Sequence, residues 1–182
     1  MIKVSLYPER QGDLAKRKIY PALYKLFSNQ NIPQSISIIG IGRRVMSDVQ
    51  FQTKVEQSLA TFSRISTDDE SGVEEFISTF RYCQLNTANI EDYPDLLRLV
   101  KMRETELNIP ENRMFYLSVI PEVFDVIALN IKKSGLWATK GLNRRLIIEK
   151  PFGYHVTSAR EFNEKMIEDF DETDICYINH YL

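Results

Sequence analysis

The chain has 182 residues, 43% hydrophobic and 26% charged, with a formal net charge of −2, a profile that suits one well-cored domain spanning 1–182 and excludes a disordered chain or two ordinary domains. So small a net charge gives no long-range pull toward nucleic acid or an anionic membrane, and neither is expected as a partner. No apolar run approaches the ~18 residues that cross a bilayer, and Met1-Ile2-Lys3 does not open like a signal peptide, so a cytoplasmic protein is expected.

In chain order, the first strand is expected at Ile2 to Tyr7, followed by a turn and a basic helix in which Pro21 sits in the first turn, with Lys16 to Ile19 either part of the turn or a kinked entry. Ser35 to Ile41 reads as a second strand, and Val49 to Phe62 as a helix with Phe51, Val55, Leu59 and Phe62 at helical spacing. The acidic run Thr67 to Gly72 reads as a solvated helix start rather than a linker. Phe80 to Leu85 is the third strand, and Tyr93 to Leu107 a helix carrying Leu96, Leu97, Val100 and Leu107. Strands at Arg113 to Val119, Arg145 to Glu149 and Ile175 to Ile178 alternate with helices at Glu122 to Lys133 and Ser158 to Phe170. Several strands are nearly continuous apolar runs, as strands covered on both faces are. The alternation predicts an α/β fold: a Rossmann-like, doubly wound, mostly parallel sheet with helices on both faces. Cys83 and Cys176 fall in strands, with no metal-ligand spacing, and are expected as reduced core thiols.

Ligands of open parallel sheets sit beyond the carboxyl ends of the strands. Polar, basic and turn residues gather there: Pro8-Glu9-Arg10-Gln11-Gly12-Asp13-Leu14 with Lys16 to Lys18 after the first strand, Gly42-Arg43-Arg44 after the second, Ser118-Val119-Ile120-Pro121 after the fourth, Glu149-Lys150-Pro151-Phe152-Gly153 after the fifth, and Asn179-His180-Tyr181-Leu182 after the last.

The stretches GDLAKRKIYPALYKLF, GIGRR, NRMFYLSVIPEVF, EKPFG and INHYL, in this order, resemble the amino-terminal coenzyme-binding domain of the glucose-6-phosphate dehydrogenase family across essentially the whole chain. The resemblance implies NADP as coenzyme and glucose 6-phosphate as substrate for hydride transfer. It implies a coenzyme site made by Arg10, Gln11, Gly12, Asp13, Leu14, Arg43 and Lys150, with Arg43 meeting the 2′-phosphate of NADP. It also implies a sugar-phosphate site made by Lys18, Lys150, His180 and Tyr181. For Lys18 and Lys150 the alternative is an ordinary surface lysine, for Arg43 and Arg44 a solvated basic turn, and for His180 an unemployed terminal histidine. His155 reads as a cap or surface residue.

The departures from the family pattern carry their own expectation. Aligned on Gly12, the family turn Gly-Ala-Ser/Thr-Gly-Asp-Leu has Glu9 in place of its first glycine, Arg10 in place of the alanine and Gln11 at the hydroxyl residue. The glycine lets backbone N–H groups approach the diphosphate. At ~5 Å and an effective dielectric constant near 20, a like-charge pair there costs roughly 3 kcal/mol, about a hundredfold in affinity, less if the carboxylate turns into water. Pro8 supplies no N–H and fixes the approach, while Arg10 offers a compensating phosphate contact. Tyr177 replaces the family's arginine and Asn179 its aspartate; the large second domain, which in the family holds the base, is expected to be absent. Lys150, Asn179 and His180 are then vestigial catalytic candidates.

Two readings follow. The chain is a catalytically incomplete relative that binds NADP(H) and glucose 6-phosphate weakly or not at all, with a protein partner or homo-oligomer covering the face that domain would occupy. Alternatively, it is an NADP-dependent glucose-6-phosphate dehydrogenase of the pentose phosphate pathway, completed by another chain. A folded gene remnant is a third option.

Overall fold

The computed structural model describes residues 2–6, 14–63, 70–119, 123–137, 143–149 and 170–178. The six apolar runs form strands β1 (Ile2–Leu6), β2 (Ser37–Gly42), β3 (Phe80–Gln84), β4 (Arg113–Leu117), β5 (Arg144–Glu149) and β6 (Ile175–Ile178). Each lies within one or two residues of the run that predicts it. They make one sheet in the order β3-β2-β1-β4-β5-β6, parallel at every pairing.

The side chains of β2 show why its sequence is apolar throughout. Ile38 packs on one face with Tyr20, Phe27, Val55, Leu59 and Phe76, whereas Ile39 and Ile41 pack on the other with Leu96, Val100, Phe115 and Ile127. Successive strand residues point to opposite faces, so a strand between two helical layers needs apolar groups at every position. Helices α1 (Tyr20–Ser28), α2 (Asp48–Phe62) and α3 (Glu70–Ser78) supply the first layer, and α4 (Tyr93–Glu106) and α5 (Phe124–Lys133) the second. The acidic run thus does open a helix, at Glu70. The candidate helix at 158–170 lies outside the described residues except Phe170, whose buried ring meets Trp137 edge-on at 4.7 Å.

The kinked approach to the first helix has a defined form. Ala15–Ile19 is a π-helical turn in which the Tyr20 N–H reaches back five residues to the Ala15 carbonyl. Pro21 follows at the start of α1 and has no N–H with which to continue either register. The donor missing for the Lys16 carbonyl is supplied by another helix: the Ser58 hydroxyl of α2, 3% exposed, donates to it at 2.6 Å. Ser58→Ala is expected to leave that carbonyl without this donor and to lower stability by about 1–2 kcal/mol, read as a fall in the urea midpoint with the slope unchanged.

One expectation about the thiols is corrected. Cys83 is buried, but Cys176 is exposed. It sits on β6, which ends the strand order, and no described strand pairs with its outer side. Tyr177 beside it is 42% exposed. Strand character alone does not ensure burial at a sheet edge.

Candidate functional site

In this strand order the chain runs outward from β1 to β2 and β3, then returns to β4 on the other side of β1. The order reverses between β1 and β4, and sheets of this kind take their ligands beyond the carboxyl ends of the strands at such a point. Ser118, 1% exposed, follows β4 directly at this point.

Several residues assigned to the site lie outside the described residues: Glu9, Arg10, Gln11, Gly12 and Asp13 of the first turn, Lys150 after β5, and Asn179, His180 and Tyr181 after β6; His155 does as well. Three are described. Leu14 is half-buried and leads into the π-helical turn. Lys18 is exposed and lines a cleft of about 720 Å³ with Arg17, Lys25, Asn29, Phe62 and Ser63, between α1 and the end of α2. Arg43 is exposed in the connection from β2 to α2. Arg44, next to it, lines a different cleft of about 390 Å³ along the start of α2, with Val45, Met46, Val49, Gln50 and Lys54.

The connection carrying Arg43 and Arg44 is built closely onto β3. Gly40 lies under the Phe51 ring, where a Cβ would come within 2.2 Å of Cζ, so no side chain fits there. A Cβ on Gly42 would lie 2.8 Å from the Tyr82 hydroxyl. The Leu85 N–H donates to the Gly42 carbonyl at 2.9 Å. Gln84 Nε2 donates to the Arg43 carbonyl at 3.2 Å, and the Tyr82 hydroxyl to the Arg44 carbonyl at 2.7 Å. The Tyr82 N–H in turn donates to Asp48 Oδ1 at 2.7 Å, fixing the first turn of α2.

The start of α2 satisfies its own backbone. Ser47 Oγ accepts from the Gln50 N–H at 3.2 Å while Gln50 Oε1 accepts from the Ser47 N–H at 2.9 Å. With these donors engaged in a capping box, recognition of an anion falls to the arginine side chains rather than to those amides. Val45 and Val49, 84% and 69% exposed, add an apolar shelf beside Arg44. Guanidinium groups for phosphate next to an apolar surface for a flat ring fit the phosphorylated adenosine end of a dinucleotide.

Tyr82 and Gln84 are absent from the site as read from sequence, since both appear there only as strand residues. No local signal marks them; their role depends on parallel pairing of β3 with β2. Cys83 lies between them, buried and protonated at neutral pH. Burial, with Asp95 and Asp92 adding to it, pushes its thiol up to about 11. Among the described residues no group of three or more His, Cys, Asp or Glu could hold a metal ion. No described helix is long and apolar enough to cross a membrane.

Comparison with known proteins agrees with this geometry. The family described as glucose-6-phosphate dehydrogenase, NAD binding domain, matches residues 10–182. The glucose-6-phosphate 1-dehydrogenase of Bacillus subtilis (strain 168) is 39% identical over 171 residues, covering 94% of this chain and 34% of that protein. The enzyme of the same name from Leuconostoc mesenteroides is 36% identical with the same coverage. Among solved structures, a glucose-6-phosphate dehydrogenase in complex with its substrate glucose-6-phosphate superposes with a TM-score of 0.85 at 29% identity, over 99% of this chain and 36% of that one. The chain therefore spans about a third of the length of the curated relatives it matches. With the matched residues 10–182 and the parallel α/β fold in agreement, the chain belongs to the glucose-6-phosphate dehydrogenase family, in the part that forms its NAD-binding domain.

Proposed function

We propose that this chain is a cytoplasmic NADP-binding module of the glucose-6-phosphate dehydrogenase type, which reads the 2′-phosphate through Arg43 and Arg44, holds the diphosphate weakly, and does not oxidise glucose 6-phosphate by itself. The observation that carries the coenzyme assignment is the exposed Arg43-Arg44 pair, Arg44 beside the apolar shelf, with the carbonyls of both residues tied back to β3. NADP, when bound, supplies a nicotinamide ring that accepts a hydride. The arginines would hold the phosphate that distinguishes NADP from NAD, and β3 would hold the arginines.

Weak diphosphate binding rests on Glu9 standing where the family has glycine, and the lack of turnover on Tyr177 and Asn179 standing where it has arginine and aspartate. Glucose 6-phosphate remains the substrate class to which Lys18, Lys150, His180 and Tyr181 would bind, with reduced affinity.

Calorimetric titration tests the coenzyme reading. NADP is expected to bind more tightly than NAD, and Arg43→Ala to weaken NADP by about 10- to 100-fold, the worth of one charge-assisted contact, with NAD changed less than threefold. Equal affinity of the unaltered chain for the two nucleotides would overturn the assignment. In a spectrophotometric assay with NADP and glucose 6-phosphate the chain alone is expected to form no reduced coenzyme.

A second reading, a dehydrogenase completed by another polypeptide, is favoured by the exposure of Cys176 and Tyr177 on β6. Turnover that appears only when a partner chain is added would select it.

A further inference from the structure

We infer that the edge strand β3 is a specificity clamp: Tyr82 and Gln84 are positioning residues that hold the Arg43-Arg44 connection in the form that receives a ribose 2′-phosphate. The inference rests on the coenzyme reading above and extends it to residues that touch no ligand.

Three successive carbonyls, those of Gly42, Arg43 and Arg44, accept hydrogen bonds from three donors of β3 and its continuation: the Leu85 N–H, Gln84 Nε2 and the Tyr82 hydroxyl. A carbonyl oxygen carries partial negative charge, and turned toward a phosphate it would oppose the attraction of the guanidinium beside it. Engaged by β3, these oxygens are withdrawn from that role. The donors are themselves fixed. The Tyr82 ring packs against Phe51 with centroids 5.4 Å apart, its N–H is held by Asp48 Oδ1, and Gly42 leaves no side chain between the hydroxyl and the connection. Asp48 also lies 3.5 Å from Arg81 Nε, so the start of α2 is joined to strand β3 at both Arg81 and Tyr82.

The order of effects follows from the geometry. A phosphate contact by arginine depends on the direction of the guanidinium fork as well as its charge. Releasing the two carbonyls lets the backbone under Arg43 and Arg44 turn, and the loss falls on ligands with a 2′-phosphate. It does not fall on ligands without one.

The test uses adenosine 2′-monophosphate and adenosine, which carry no diphosphate and so leave the diphosphate turn out of the comparison. Ligand-observed NMR titrations are made on the unaltered chain, on Tyr82→Phe and on Tyr82→Phe/Gln84→Met. The expected result is a weaker adenosine 2′-monophosphate complex, by about fivefold in the single variant and tenfold or more in the double, with adenosine changed less than twofold. Amide hydrogen exchange of residues 43–47 is expected to quicken in the same variants without ligand. Tyr82→Phe keeps the ring against Phe51, so it carries the test should the double variant fail to fold. If the unaltered chain prefers adenosine 2′-monophosphate and the variants keep that preference, the clamp is refuted and the coenzyme reading stands. If the unaltered chain shows no such preference, the coenzyme reading is refuted and the clamp with it. A parallel loss for both ligands would mark Tyr82 and Gln84 as structural supports only, and would likewise refute the clamp.

Discussion

Arg113→Ala is expected to lower stability by about 3–5 kcal/mol, the cost of leaving a buried charge without its partner. Arg113, at the start of β4, is 1% exposed, and Glu104, near the end of α4, is 6% exposed. Arg113 Nε and Nη2 each lie 2.8 Å from one of the two Glu104 carboxylate oxygens, while Nη1 donates to the Leu136 carbonyl at 2.9 Å and the Gly135 carbonyl at 3.3 Å. The guanidinium therefore ties β4, α4 and the segment after α5 at the amino end of the sheet, away from the strand ends where ligand is expected. Thermal unfolding would show the loss as a fall of roughly 10 °C for a domain of this size. A control separates pair from site: Arg113→Met with Glu104→Leu removes both charges and is expected to recover most of the stability, because replacing a buried pair by packed apolar groups is often neutral. A single substitution that cost less than about 1 kcal/mol, the worth of an ordinary neutral hydrogen bond, would mean that the pair contributes no more than that.

Glu9→Gly acts on coenzyme binding in the opposite direction to Arg43→Ala. Removing the carboxylate and its Cβ from the turn is expected to raise NADP affinity by about 10- to 100-fold. Glu9→Gln separates the two causes, since it removes charge and keeps bulk. A gain shared by both variants assigns the barrier to electrostatic repulsion; a gain confined to glycine assigns it to the backbone approach that the family's glycine permits. Unchanged affinity in both would show that Glu9 turns away from the diphosphate and that Arg10 or another group holds it.

The six strands and both helical layers are legible in the sequence because each apolar run must satisfy two faces at once, a pattern that few other arrangements tolerate. Ile38, Ile39 and Ile41 illustrate it: their alternation between two cores follows from strand geometry alone. The basic connection after β2 is legible too, since Arg43 and Arg44 directly follow a strand. Its supports are not. Tyr82 and Gln84 act across a pairing between segments about 40 residues apart, and nothing in either segment records the other. Arg113 is hidden for a similar reason. A charged residue at a strand start reads as solvated until a carboxylate from a helix on the same face closes over it. The exposure of Cys176 escapes because a strand's apolar character does not state whether it ends the sheet.

The widened turn at Ala15–Ile19 changes where the chain comes from. It adds one residue to a helical circuit, and one residue corresponds to about 100° of rotation around an α-helix axis. A regular helix built backward from Tyr20 would rotate Leu14 about the helix axis by roughly that angle. Pro21, which cannot donate the hydrogen bond that a regular circuit requires, therefore sets the angle at which Leu14 stands about the helix axis from seven positions downstream.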